Sequence, residues 1–186
     1  DKKMPHAVSH RYLDTDFESP WSFSTKVTIF ADQMFGWTLD VAEHLKTQPN
    51  GGFAILSVVL SYFETIAKFE DGDPSRRSAH HFKRGLTSVL SPYATAQQLA
   101  IPQAVLDVMY EDARCGTYHN SMAMGIMISG SPDEILQWNG SLMVINPHHL
   151  TDVIRRHFAA YVGRLLGSDK ANDQLRANFE KVFDAR

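Results

Sequence analysis

The stretch FAILSVVLSYFETIAKF, Phe53 to Phe69, is apolar on nearly every side. Ile55, Leu56, Val58, Val59, Leu60, Tyr62, Phe63 and Ile66 leave no polar face wide enough for a surface helix. The segment therefore predicts a helix at the centre of a bundle. Ser57, Ser61 and Ala67 are small, which predicts close approach of neighbouring helices at those points. Glu64 and Lys68 are spaced to pair along one face. The most apolar part, Phe53 to Phe63, is interrupted by its two serines and is too short to span a bilayer, so no membrane is expected.

Towards the N-terminus, Phe30, Met34, Trp37, Val41 and Leu45 recur at helical spacing, with Asp32, Asp40 and Glu43 off that stripe. Gln48-Pro-Asn-Gly-Gly52 breaks the chain before the central helix. Residues 1–25 show no sustained period and read as an irregular arm. Residues 26–186, without an internal repeat or linker, read as a single mainly α domain.

Towards the C-terminus, Asp71-Gly-Asp-Pro-Ser75 predicts a stop and a restart, with Asp73 as N-cap and Pro74 in the first turn. The helix that follows turns Phe82, Leu86 and Leu90 inward and Arg76, Arg77, His80, Lys83 and Arg84 outward. This is the densest basic cluster in the chain. It reads either as a solvated face or, if it lies beside Arg114, as a binding stripe for RNA. Ser91-Pro92 ends that helix and Ile101-Pro102 opens the next, whose stripe is Ile101, Val105, Met109 and Ala113.

After Met122 the period changes to two, and Asn139-Gly140 sits between two apolar runs as a hairpin signal. The expectation is a small antiparallel β insert at about 123–145. Asn146-Pro147 then caps a helix carrying Leu150, Val153, Ile154, Phe158, Tyr161, Val162 and Leu165, ended by Gly167. A last helix covers roughly 171–183.

Composition limits the function. A net charge of −3 argues against a protein that coats nucleic acid non-specifically, while leaving room for a local basic site. The single Cys115 rules out an internal disulfide and fits a reducing compartment. The opening DKKMPHAVSH lacks the apolar core of a secretion signal, so the expected location is cytoplasmic.

Three constellations bear on chemistry. His80-His81 and His148-His149 are adjacent pairs whose members point about 100° apart on a helix, whereas helical metal ligands sit three or four residues apart. They are expected to be surface histidines, with neither metal nor cofactor bound. Cys115 and His119 share a helix face, but no third group is placed to orient them. Arg114 and His119 form the third: a guanidinium can fork onto a phosphate, and an imidazole moves protons near neutral pH. On an unbroken α-helix the two would lie about 140° apart. Either Gly116 unwinds the helix between them, or the site draws on two copies of the chain.

A helical bundle with a central apolar helix and an R-x-x-x-x-H motif at the end of a later helix resembles the HEPN superfamily. More closely, the tract from Tyr110 to His119, a short strand insert and then Ile145-Asn-Pro147 resemble uncharacterised bacterial HEPN-like proteins. The resemblance implies a HEPN-like bundle and a metal-independent endoribonuclease of the toxin–antitoxin or defence kind. In it, the RNA 2′-hydroxyl attacks phosphorus, His119 serves as acid and base, and Arg114 stabilises the phosphorane. It also implies a homodimer that supplies a second histidine, and an antitoxin or nucleotidyltransferase as partner. The residue after the family's arginine is usually polar; here Cys115 and Gly116 follow. The alternative is a non-catalytic bundle that binds a nucleotide, RNA or a protein, with Arg114 held by Glu111 or Asp112 and His119 in the interior.

Overall fold

The computed structural model describes residues 4–93, 101–116, 125–130 and 134–186. Helix α1 (Phe23–Met34) is capped by Ser22, whose hydroxyl accepts from the Thr25 N–H at 3.1 Å. It runs through a π turn (Phe35–Leu39) into α2 (Asp40–Leu45). That turn alters the stripe expected from the sequence. A π turn holds one residue more than an α turn, so side chains beyond it are rotated relative to an α-helical count. Leu39 and Ala42 take the buried positions, while Trp37 and Val41 are 49% and 42% exposed.

Asp32, expected on the polar side, is buried. Its carboxylate accepts from Ser9 Oγ and the Arg11 N–H, both at 2.7 Å, and from the Arg11 guanidinium. The arm is thereby fastened to α1, and burial, which would push the Asp32 carboxyl up, is outweighed by these bonds, which hold it below its ordinary value.

The central segment forms α3 (Gly52–Val59) and α4 (Ser61–Asp71), joined at Leu60. Together they reach 20 residues, long and apolar enough by composition to cross a membrane, so shortness is no argument against a bilayer. Half of that span is buried inside the bundle, including Ile55, Leu56, Val59, Phe63, Ile66 and Ala67. Ser57 and Ser61 do not admit neighbours as expected. They face outward, and their hydroxyls donate to Phe53 and Val58 carbonyls of their own segment.

The close approach occurs elsewhere. Helix α5 (Ser78–Leu90) crosses α4 so tightly that a Cβ on Gly85 would lie 1.9 Å from the Phe63 carbonyl oxygen. The helix also starts later than expected. Asp73 does not cap it; its carboxylate accepts from the Ser75 N–H at 3.0 Å and from Arg77 at 2.8 Å in an extended lead-in.

Helix α6 (Gln103–Val108) passes into a second π turn (Met109–Cys115), with Gly116 still helical. Strands β1 (Ile126–Ile128), β2 (Leu136–Trp138) and β3 (Met143–Ile145) follow. Their spatial order is β1-β3-β2. The β2–β3 hairpin around Asn139-Gly140 is antiparallel, but β1 joins β3 in parallel, so the insert is a mixed sheet rather than an antiparallel one. Alternation along a strand reveals that it is half-buried, not which way its neighbour runs.

Helix α7 (Pro147–Leu166) begins where expected, with Asn146 Oδ1 accepting from the His148 and His149 N–H groups. Helix α8 (Asp173–Phe183) closes the bundle against α4. An aromatic cluster joins the helices: Phe30 meets Phe69 at 4.3 Å, Phe158 at 5.5 Å and Phe179 at 5.6 Å between ring centroids.

Because Gly85 has backbone rather than a movable side chain above it, Gly85→Ala is expected to force α4 and α5 apart. The cost should reach or exceed the usual overpacking range of about 1–3 kcal/mol. Urea unfolding of the two proteins checks this. A variant within a few tenths of a kcal/mol of the parent would show that the crossing is not a tight constraint.

Candidate functional site

Arg114 lies on the second π turn, half-buried, with its guanidinium 3.6 Å from Glu64 Oε2 on α4. The same carboxylate accepts from Lys68 Nζ at 2.7 Å, as the sequence spacing predicts, and from Ser78 Oγ at 2.6 Å. Ser78 is the first residue of α5. Glu64 therefore ties together the central helix, the start of α5 and the turn bearing Arg114. The sequence offered Glu111 and Asp112 as partners for Arg114; the structure also brings Glu64 to it from another helix. Burial would push the Glu64 carboxyl up, but the bonds from Lys68 and Ser78 and the Arg114 charge outweigh it and hold the carboxyl below its ordinary value. Glu64 is thus ionised at neutral pH and answers two cations at once. His119, the other half of the motif, falls outside the described residues.

The basic cluster divides. Arg76 and His80 are exposed near the start of α5. Arg77 pairs with Asp73 at 2.8 Å, Lys83 with Asp107 at 2.6 Å and Arg84 with Asp71 at 3.3 Å. The stripe is therefore partly offset by carboxylates from neighbouring elements. Its N-terminal end approaches Arg114 through the Glu64–Ser78 bond.

Of the paired histidines, His81 is not on the surface. It is fully buried, its Nε2 lies 3.2 Å from Ser75 Oγ, and burial lowers its pKa. The stripe of α5 turns it inward one residue before Phe82. His148 and His149 are half-buried in the first turn of α7. Among the described residues no group of three or more His, Cys, Asp or Glu side chains is placed to hold a metal ion. Cys115 is half-buried as a free thiol.

A second polar cluster escaped the sequence reading. Tyr62 OH and His157 Nδ1 are 2.7 Å apart, and His157 Nε2 is 3.6 Å from Glu70 Oε1. Glu70 also meets Arg164 at 3.5 Å and accepts from Ser88 Oγ at 3.0 Å. Burial pushes the Tyr62 hydroxyl well above its ordinary pKa, so it stays protonated and donates to Nδ1. The His157 ring proton then sits on Nε2 and faces the carboxylate. Burial lowers the pKa of His157, so a neutral ring fits this chain of bonds. The only signal in the sequence is the spacing of Tyr62 with Glu70 and of His157 with Tyr161 and Arg164, which lies inside runs dominated by core residues.

Comparisons with protein-family models, with curated proteins and with solved structures return no match for this chain.

The Glu64 junction has a pH signature. A carboxyl held below its ordinary value stabilises the fold fully above the unfolded pKa of about 4.3, and that stability is lost as pH falls through the lower folded value. Glu64→Gln should therefore unfold at lower temperature than the parent at pH 7, with a loss of about 1–2 kcal/mol. The gap should narrow progressively below pH 4. Melting curves across pH 3 to 7 check the sign; a constant gap would assign the loss to packing rather than to charge.

Proposed function

We propose that this protein recognises RNA phosphate through Arg114 and cleaves the backbone without a metal, in the manner implied by its resemblance to the HEPN superfamily. The observation that carries the reading is the setting of Arg114. Glu64 anchors it beside the first residue of α5, where Arg76, Arg77 and His80 lie. Its turn is also wound i→i+5, a rare geometry that recurs at functional sites.

In this reading the 2′-hydroxyl of RNA attacks the adjacent phosphorus, the P–O5′ bond breaks, and a 2′,3′-cyclic phosphate and a 5′-hydroxyl form. His119 moves the protons, an effect of about 10²–10⁴-fold. Arg114 places two parallel N–H donors on the non-bridging oxygens as charge builds there. One imidazole cannot take and give protons in the same step, so a two-fold dimer supplies the second. The Arg114–Glu64 pair also favours a second reading. In it the arginine is structural and the protein is a non-catalytic bundle that binds nucleotide, RNA or a protein.

The experiment is end-group analysis of single-stranded RNA incubated with the protein, with chelator present. Cleavage should leave 2′,3′-cyclic phosphate ends and spare DNA, which lacks the attacking hydroxyl. His119→Ala and Arg114→Ala should each abolish it, and Arg114→Lys should restore little, since an ammonium keeps the charge but loses the fork. The double variant should be scarcely worse than either single one. Intact RNA at every pH from 5 to 9, or a folded His119→Ala protein that cuts like the parent, transfers the assignment to the binding reading.

A further inference from the structure

A cavity of about 760 Å³ opens beside β2. The end of α5, the start of α6 and one face of α7 form its other walls, with Leu90, Val105 and Val153 among the apolar lining. Its volume falls within the range of sites that enclose ligands. The β2 wall is unusual, because all three strand residues, Leu136, Gln137 and Trp138, line the cavity, as do Glu134 and Ile135 in the bend before them. Alternate side chains of a strand point to opposite faces. Consecutive residues can all border one cavity only where that cavity runs along the strand's edge.

The hydrogen-bond register leads to the same place. Strand β2 is an edge of the sheet, paired with β3 alone among the described strands. The Asn139 N–H donates to the Leu142 carbonyl and the Asn146 N–H to the Ile135 carbonyl. Odd-numbered residues thus face β3, and in an antiparallel ladder the residues between them face away. The N–H and C=O groups of Leu136 and Trp138 therefore point into the cleft, a template of the kind that accepts an added strand.

We propose that this edge and cleft are a docking site for an extended segment of another protein, with apolar side chains at alternate positions and an acidic side chain in reach of Arg156. The edge lies recessed between helices, so a single extended chain can enter where the rigid sheet edge of a second folded copy cannot. Segment backbone pairs with Leu136 and Trp138, and every second side chain descends towards Val105 and Val153. Charge selects the partner. Lys46 neutralises Asp152 on the cleft wall at 2.6 Å, which leaves Arg156, stacked over Tyr93, as the cation to be matched. Glu134 at the near end of β2 disfavours a uniformly acidic segment. The inference is independent of RNA cleavage.

The test uses the full chain and a library of random dodecapeptides displayed on filamentous phage, whose DNA genome the proposed RNA cleavage would leave intact. Enriched peptides should alternate apolar and polar residues and carry one acid. Synthesised with a fluorescein label, they should lose at least tenfold in affinity to Leu136→Pro, which removes an outward N–H while leaving the β3 ladder intact. Leu136→Ala, which keeps the N–H, should lose less, and Arg156→Glu should shift the enriched charge from acidic to basic. A measurement on the unaltered protein stands beside these. Single N-methylation along the peptide should abolish binding with a period of two, and bound peptide should slow amide exchange at residues 136 and 138. Enrichment of no sequence over a blank, or binding that ignores both Leu136→Pro and the N-methyl scan, overturns the proposal. A dimer in solution that Leu136→Pro dissolves would overturn it too, in favour of a second copy as the occupant.

Discussion

The carbonyl of Phe63 and the bare Cα of Gly85 set the distance between α4 and α5, and much else follows from that distance. With the two backbones in contact, Phe63 and Phe82 meet edge to face with ring centroids 5.5 Å apart. The next residue on α4, Glu64, comes within hydrogen-bonding reach of the first residue of α5. That carboxylate lies close enough to Arg114 to anchor the π turn as well. A side chain at position 85 would move Ser78 and Phe82 together, since both ride on the same rigid helix. The tightest packing contact and the candidate site are thus consecutive along the central helix. This places Arg114 on a helical turn fastened to the central helix rather than on an open loop.

The regions legible in the sequence were those where local chemistry leaves one choice. Asn146-Pro147 caps a helix because an amide oxygen and a missing N–H satisfy the same helix end. Glu64 and Lys68 pair because four residues bring them over one another. Half of the central run is buried, on the side of Ile55, Leu56, Val59, Phe63 and Ile66, because those side chains have no polar group to offer water, while Ser57 and Ser61 face outward. Misreadings arose where the period assumed was not the period adopted. One extra residue in the turn at 35–39 moved Trp37 and Val41 outward, an insertion that no count at 3.6 residues per turn can reveal. Asp32 looked solvated because nothing near it in sequence answers its charge; Ser9 and Arg11 do so from the arm. The parallel pairing of β1 with β3 likewise depends on a long-range register that alternation does not encode.

For the candidate site, the residue types were readable but their relations were not. A basic run on a helix gives its own charges and hides those of its neighbours. Asp107 from α6 and Asp71 from the end of α4 offset Lys83 and Arg84 across contacts distant in sequence. At the N-terminal end of the run Arg77 is likewise answered by Asp73, while Arg76 and His80 are exposed. The buried Tyr62–His157–Glu70 series was missed for the opposite reason. Its members occupy positions that the helical period assigns to core, and polar groups in a core become visible only through their partners.

The Arg114–Glu64 pair bears on whether a structural arginine can also serve a phosphate. An arginine whose sole carboxylate partner had no other cation would leave a buried, unanswered charge behind when it turned to a ligand, and that penalty would oppose binding. Glu64 is arranged differently. At 3.6 Å from Arg114 it is more loosely engaged there than with Lys68 at 2.7 Å or Ser78 at 2.6 Å. If Arg114 swings towards an anion, the carboxylate keeps an ammonium and a hydroxyl, and its charge remains matched. The second cation thus lowers the cost of releasing the first. Lys68 follows Glu64 by one turn of the same helix, so this reserve is fixed by the spacing of two residues in the segment that also forms the core.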